Sequence, residues 1–356
     1  VIHGYIGSTA EVHAPAQGIP FVALAAPVTP EPEVTPKPTP DPSQPYEENG
    51  YTYYYLPEEQ AVSISSYSGS DQDLVIPSTL GGYPVVQIGM HAFSFKDTLR
   101  TVTIPYGVKR ILTSAIKSCP NLTSVSIPES VTELGGNVFA QCPALTSVNL
   151  PSGLTALSDA LFEGCSALES IEIPAGVESI GEAAFYACTS LKRADIPAGV
   201  VSIGSNAFGN CTQMAVFTIE DSENPGLMTE FMTDAAGNAT AFAGCSALSN
   251  VELGNSVKNI PNGLFSGCVQ LAVVEVSDCL MGIGCDAFAD SGMYAITIPE
   301  SVTAIEDNAF GGCKNLYITF LGSAPSFAED IFAEAEIWLM YPASDTTWWE
   351  IAGQQY

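Results

Sequence analysis

Cysteines recur every 23 residues along this 356-residue chain, at Cys119, Cys142, Cys165, Cys188 and Cys211, and return after a longer gap at Cys245 and Cys268. Thiols at a fixed spacing invite three kinds of chemistry: disulfide pairing, metal ligation and nucleophilic catalysis. Zinc sites and metal-dependent hydrolases draw on close sets such as C-x-x-C or H-E-x-x-H, and neither occurs in the sequence. The G-x-S-x-G elbow of serine hydrolases is also missing. Of three histidines, His3 and His13 lie in a detached amino-terminal piece, and His91 holds a variable outer position occupied elsewhere by Asn137, Ala160, Asn206 and Asn308. No catalytic residue, cofactor or metal ligand is assigned on this basis.

The spacing of the thiols instead belongs to a repeat. Written from Cys142, the unit runs Cys142, Leu145, Val148, Leu150, Pro151, Leu154, Leu157 and Phe162, and such self-similarity marks a stacked array. Phenylalanine holds its position at Phe93, Phe139, Phe162, Phe185, Phe208, Phe242, Phe265, Phe288, Phe310 and Phe332, with Ile116 substituting once, which gives about 10 or 11 units. Within each unit, Val148 and Leu150 alternate with Ser147 and Asn149, the period of a strand. The proline that follows has no N–H to continue a ladder, so the chain turns there. A second short apolar segment, such as Val177 with Ile180, closes on Gly181. The last stretch of the unit, residues 182–188, places Phe185 and Cys188 three apart, which predicts one helical or 3₁₀ turn.

Stacking also decides against disulfides along the ladder. Neighbouring coils sit about 4.8 Å apart, whereas a disulfide requires Cβ atoms about 3.8 Å apart and a fixed torsion. The repeating cysteines are therefore expected to be buried free thiols serving as small apolar side chains. Cys279 and Cys285 lie off the ladder, six apart, and pairing between them stays open.

Caps are expected at both ends, since one coil cannot bury its own core. At the front, residues 51–56 and 61–67 are rich in aromatic and β-branched side chains and predict two strands, followed by a Gly81-Gly82 turn before Tyr83. At the back, Tyr317, Phe320, Trp338, Tyr341, Trp348 and Trp349 are expected to seal the core. The domain reading is a tail of an upstream module over residues 1–24 and a Pro/Thr-rich linker over 25–46. A cap with the first repeat follows over 47–98, then the solenoid over 99–321 and the last repeat with its cap over 322–356. The linker carries eight prolines and is expected to be extended polyproline II, and residues 19–22 form a strand-like stretch with no sheet of its own. The chain begins with Val1 rather than Met and is expected to be a piece of something longer or a mature product.

Charge narrows the partners. Ten Lys and Arg against 39 Asp and Glu give a net charge of −29, which argues against nucleic acid. No apolar run approaches the roughly 18 residues needed to span a bilayer.

The unit read as Cys165, Leu168, Ile171, Ile173, Pro174, Val177, Ile180, Gly181, Ala184 and Phe185 closely resembles the BspA-type leucine-rich repeat, over about residues 50–356. Gly4, Tyr5, Gly7, Ser8, Ala10 and residues 19–21 look like the short piece that follows an array in such proteins. The resemblance implies a right-handed α/β repeat solenoid with a parallel β-sheet and short helical turns, on a bacterial cell surface or secreted, with adhesion to host or microbial proteins. It brings no catalytic residue. Two departures stand out: residues 220–240 lack the second half of the unit, and Asp290 stands where a cysteine is expected between Cys268 and Cys313.

Function is sought on exposed positions. Outward strand residues read Thr101 and Thr103, Ser124 and Ser126, Ser147 and Asn149, Ser170 and Glu172, Arg193 and Asp195, Val216 and Thr218, Asn250 and Glu252, then Val273 and Glu275. This face begins with hydroxyls, turns acidic and shows no aromatic stripe. Solenoid faces of this kind bind proteins, so Ser170, Glu172, Arg193, Asp195, Asn250, Glu252 and Glu275 are candidate contacts. Lys96, Arg100, Lys109, Arg110 and Lys117, half of all basic residues, form a possible basic collar near the front. In the insertion, residues 225–234 predict a short helix with Leu227 and Phe231 on one face, making Phe231 and Met232 further candidates.

The expected function is non-enzymatic binding of a host or microbial surface or matrix protein by a monomer, without membrane insertion. The alternatives are a structural spacer and, third, a carbohydrate-binding module using Trp338, Trp348 and Trp349.

Overall fold

The computed structural model describes residues 1–5, 17–24, 39–224, 226–328 and 330–352. The chain divides into two units, Val1–Asp41 and Pro42–Tyr356.

In the first unit, strand Ile2–Tyr5 pairs in parallel with Phe21–Leu24, Ile2 opposite Phe21. The stretch expected to have no sheet of its own is therefore half of a two-stranded one. Residues 25–38 of the expected linker, with Pro27, Pro30, Pro32, Pro36 and Pro38, lie outside the described residues. Its far boundary falls slightly early, because Tyr46 already belongs to strand Tyr46–Glu48, paired antiparallel with Tyr51–Leu56. Asn49 and Gly50 connect them, both in the left-handed region at φ 50° and 81°, as a tight hairpin requires.

The second unit is a parallel β-solenoid of about twelve turns: eleven positions on the phenylalanine track plus one turn supplied by the cap. Cap strand Ala61–Tyr67 is antiparallel to Tyr51–Leu56 on one side and parallel to Tyr83–Ile88 on the other, converting a hairpin into the first rung of the array.

Each coil contributes to two ladders. The first, from the L-x-x-V-x-I half of the unit, forms a four-stranded sheet from Asp73–Val75 to Ser147–Val148. It then forms a seven-stranded sheet from Arg193–Ile196 to Ile337–Met340. The coil between them forms no strand over residues 170–173. Asn149 helps to set this break: its side chain, not its backbone, meets the preceding coil, accepting from Ile127 N at 3.3 Å and donating to Ile127 O at 2.8 Å. The second ladder consists of two-residue strands such as Ser179–Ile180 and Ser202–Ile203, in register. Between the ladders the expected proline turn is present, with Val177 N donating to Pro174 O at 3.0 Å and Val200 N to Pro197 O at 3.1 Å. The corner after the second strand brings coils very close. A Cβ on Gly204 would lie 2.5 Å from Glu182 N, which only glycine avoids.

The predicted helical turn at residues 182–188 does not form. Ala183 and Ala187 are left-handed, at φ 53° and 57°, so no run of helical residues is long enough. Backbone donors alternate instead. Ala183, Phe185 and Ala187 donate across to Ser205, Ala207 and Gly209 of the next coil, while Tyr186 and Cys188 donate back within their own coil to Ala183 and Phe185. Ladder formation between coils thus replaces helix formation within one. Among the described residues the helical elements are the 3₁₀ turn Pro57–Glu59 and the helix Thr347–Ala352.

The core is a stack of rings. From Phe139 to Phe208 successive centroids lie 5.5, 5.5 and 5.2 Å apart, nearly parallel. The stack continues across the insertion, with Phe208 to Phe242 at 6.0 Å and 11°. Trp348 closes the far end, buried against Phe320 and Phe327, its indole N–H donating to Gly322 O at 3.1 Å.

Candidate functional site

Eight of the ten cysteines are buried and all ten are free. Seven of the eight buried thiols, all but Cys268, donate to the same acceptor, the carbonyl of the track residue one coil back. Cys165 Sγ donates to Phe139 O, Cys188 to Phe162 O and Cys211 to Phe185 O, all at 3.2 Å. Phe162 O and Phe185 O also accept the Cys N–H of their own coil, the latter from Cys188 N at 3.1 Å. A small apolar side chain with one weak donor meets both demands of the position. Burial pushes the thiols of Cys165, Cys211 and Cys268 from their ordinary 9.0 up to about 12, so the reactive thiolate is suppressed.

The exceptions are informative. Lys96 holds the thiol position of the first coil, three residues after Phe93, and its ammonium lies 5.7 Å from the Tyr67 ring. Between Cys268 and Cys313 the replacement is buried Ser291, not Asp290: Ser291 follows Phe288 by three residues and lies 3.5 Å from Cys313 Sγ. Asp290 occupies the preceding corner, left-handed at φ 56°, matching Gln141, Ala187 and Asn210. The unit loses its residue just after Ser291, which displaces a count made from the cysteines. Cys279 and Cys285 form no disulfide, and Cys285 donates to Glu306 Oε2 at 3.3 Å.

His91 is left-handed at φ 56°, as are Asn137, Ala160, Asn206 and Asn308, so a turn explains the position. Among the described residues no group of three or more His, Cys, Asp or Glu is placed to hold a metal ion.

Register brings most of the candidate contacts onto one face. Arg193, Val216, Asn250, Val273, Ala295, Tyr317 and Trp338 form one outward row of the seven-stranded sheet. Two residues along each strand, Asp195, Thr218, Glu252 and Glu275 begin a parallel row. Ser170 and Glu172 are exposed but belong to the coil without a strand, where Glu172 joins Ser126, Asn149 and Ser152 around a shallow groove. Arg193 is already paired, its Nε donating to both carboxylate oxygens of Asp195 at 2.7 and 2.6 Å. That partner holds the guanidinium above its ordinary range, with Glu252 adding to the effect.

The row does carry aromatics. Continuing the outward register beyond Val273 leads through Ala295 to Tyr317 and Trp338, whose rings stack at 4.8 Å and 12° while each side chain remains nearly half exposed. The sequence signal was the register itself, carried forward two more coils. Of the residues expected to seal the end, Phe320 and Trp348 are buried, and Tyr341 stacks on Trp348 at 4.8 Å. Trp338 and Trp349 face solvent.

The insertion is a different object from the predicted helix. Glu230–Phe231 is a strand, pairing in parallel with Ser202–Ile203, and Phe231 fills the inward place that Ile203 holds one coil earlier. Phe231 is therefore buried core, packed against Phe242 at 6.1 Å, while Met232 is 50% exposed on the opposite side of the strand. Buried Thr229 Oγ1 lies 2.7 Å from Val200 O and 2.8 Å from Ser256 Oγ. The second half of the unit is present, carried by residues whose types disguise it. Excising residues 224–238 is expected to lower stability by about 3–5 kcal/mol through loss of Phe231, read by urea unfolding.

Part of the collar reaches the cap. Arg110 pairs with Glu59 and with Gln87 Oε1 at 2.9 Å, and Lys109 lies 3.7 Å from Glu59. Lys117 donates to Asn137 Oδ1 at 3.0 Å. The Arg110 hydrogen bond holds the Glu59 carboxyl below its ordinary range. Arg110 and Lys109 tie the cap to the array, and Lys117 links two coils of the array.

Two ladders of short parallel strands around a ring-stacked core, turned by proline and glycine once per repeat, define a solenoid of the leucine-rich-repeat class. The description "BspA type Leucine rich repeat region" matches the chain in six copies over residues 86–215 and 238–338, and the protein belongs to this family. The gap between the matched spans coincides with the insertion. Similar solved structures include a leucine rich cell surface protein from Faecalibacterium prausnitzii, 26% identical with TM-score 0.45, over 89% of this chain and 99% of that one. A leucine-rich repeat protein from Bacteroides ovatus is 23% identical with TM-score 0.45, over 83% of this chain and 90% of the other. The leucine rich repeat protein of T. pallidum is 25% identical with TM-score 0.42, over 69% and 89%. No curated protein matches the chain. No helix among the described residues is long and apolar enough to cross a membrane.

Proposed function

We propose that the chain is a non-enzymatic interaction protein, on a bacterial cell surface or secreted, that binds another protein through the outward rows of its seven-stranded sheet as a monomer. The observation that supports this is the contrast between the rows and the core. Inward positions repeat the same few side chains, while the first outward row changes from each coil to the next, through Arg193, Val216, Asn250, Val273, Ala295, Tyr317 and Trp338. A regular sheet presenting varied polar and aromatic side chains suits recognition of a large partner. A spacer would need no such variation.

The test is capture from host matrix and mucosal proteins, followed by direct binding of the captured protein to the chain and to its Arg193→Ala, Asp195→Ala, Glu252→Ala triple variant. Binding by the parent chain that is lost in the folded variant is expected. Failure of the parent chain to bind any protein directly would leave the spacer reading in its place.

A further inference from the structure

The outward aromatic stack ends abruptly. Tyr317 has Trp338 against one ring face at 4.8 Å, and its in-register neighbour on the other side is Ala295, followed by Val273. An alanine methyl cannot reach up beside a tyrosine ring, so the stack stops over a slot one coil wide. Planar groups held in parallel by neighbouring strands favour a further planar group at the same spacing.

The surroundings of the slot are acidic. Glu275 lies on the strand that pairs with the Ala295 strand, two residues beyond the position opposite Ala295, a diagonal distance of about 7–8 Å. It is exposed and, among the described residues, forms no ion pair. Glu252 is its neighbour in the same row. At −29 overall, with Lys109, Arg110, Lys192 and Arg193 already in ion pairs, the chain favours a cationic partner. Among cationic side chains, arginine combines a flat face that stacks on a tyrosine ring with donors that fork onto a carboxylate.

We infer that the slot over Ala295, between the Tyr317 ring and the Glu275 carboxylate, receives an arginine side chain from a basic segment of the partner protein. The inference rests on the reading that the sheet binds protein, and it assigns both the chemistry of that partner and the coil that reads it. It differs from a generic acidic attraction because it requires guanidinium over ammonium.

The test uses the whole chain with two labelled probes, deca-arginine and deca-lysine, followed by fluorescence anisotropy at low and physiological salt. Deca-arginine is expected to bind about tenfold more tightly than deca-lysine. Tyr317→Leu should remove that preference by weakening deca-arginine alone, whereas Glu275→Gln should weaken both peptides. Circular dichroism and melting establish that both variants are folded. Equal binding of the two peptides, or an unchanged preference in Tyr317→Leu, would overturn the inference. A neutral probe, cellohexaose, separates the competing use of exposed rings: Tyr317-dependent binding of the sugar with no arginine preference would assign the stack to carbohydrate and also overturn it. Loss of the arginine preference leaves the triple-variant test of protein binding standing, so the two readings fail separately.

Discussion

The inward and outward sides of the same strands obey different rules. Along Arg193–Ile196, buried Ala194 and Ile196 sit beneath exposed Arg193 and Asp195, and one coil later Phe217 and Ile219 sit beneath Val216 and Thr218. Inside, every substitution is met by the coils above and below, so phenylalanine, cysteine and leucine return at fixed places. Outside, each residue meets only its neighbours on the same face and solvent. Regularity therefore reports stacking, and departures from it report either repair of the stack or contact with something else.

The largest expected effect concerns proton binding by the inside alone. The thiols of Cys165, Cys211 and Cys268 stay protonated up to about pH 12 when folded, against an ordinary 9.0, and burial likewise raises Tyr51 and Tyr67 from 10.0 to about 12. The unfolded chain loses these protons first, so stability is fully present below pH 9 and falls as pH rises towards 12. Each fully shifted group contributes up to about 1.4 kcal/mol per pH unit. Urea midpoints measured from pH 7 to 11 should be flat at first and then drop steeply. A midpoint that is flat to pH 11 would show the thiols to be accessible or oxidised.

Next in size is the ring stack. Phe185→Ala opens a cavity between Phe162 and Phe208 and is expected to cost about 3–5 kcal/mol, whereas Tyr317→Leu on the outer row should stay within about 0.5 kcal/mol. Comparable losses in the two variants would erase the distinction between the sides. Smallest is the latch between cap and array: Glu59→Gln weakens its pairing with Arg110 and Lys109, both partly exposed, and is expected to cost less than about 1 kcal/mol. Its signature is local, earlier hydrogen exchange in Ala61–Tyr67 with little change in the rest of the array.

Legibility in the sequence followed the same division. Cysteine, proline and phenylalanine in one register made the solenoid, its turns and its free thiols readable, because stacking admits few residue types at those places. Three local features were not readable. The corner at Ala183 and Ala187 looks helical by spacing, and only the donors captured by the next coil explain its left-handed residues. Phe231 carries the second strand of its coil in the guise of an insertion, since a neighbour's ladder can recruit a residue outside the usual pattern. Ser291 hides a thiol position because the unit shortens immediately after it. On the outer face, five of the proposed contacts, Arg193, Asp195, Asn250, Glu252 and Glu275, do share one sheet, while Ser170 and Glu172 fall at its break. By residue type alone Tyr317 and Trp338 suit the end cap equally well, because aromatic residues near a terminus serve that task. Only register separates Trp348, which seals the core, from Trp338, which faces solvent.

The claim that the 23-residue cysteine ruler is a packing track is tested most directly by counting thiols with an alkylating reagent, without reductant, before and after unfolding. The eight buried ladder cysteines should resist modification in the folded chain at pH 8, and all ten should react once it is unfolded. Fewer than ten after unfolding, or ready modification of the ladder while the chain is folded, would contradict it.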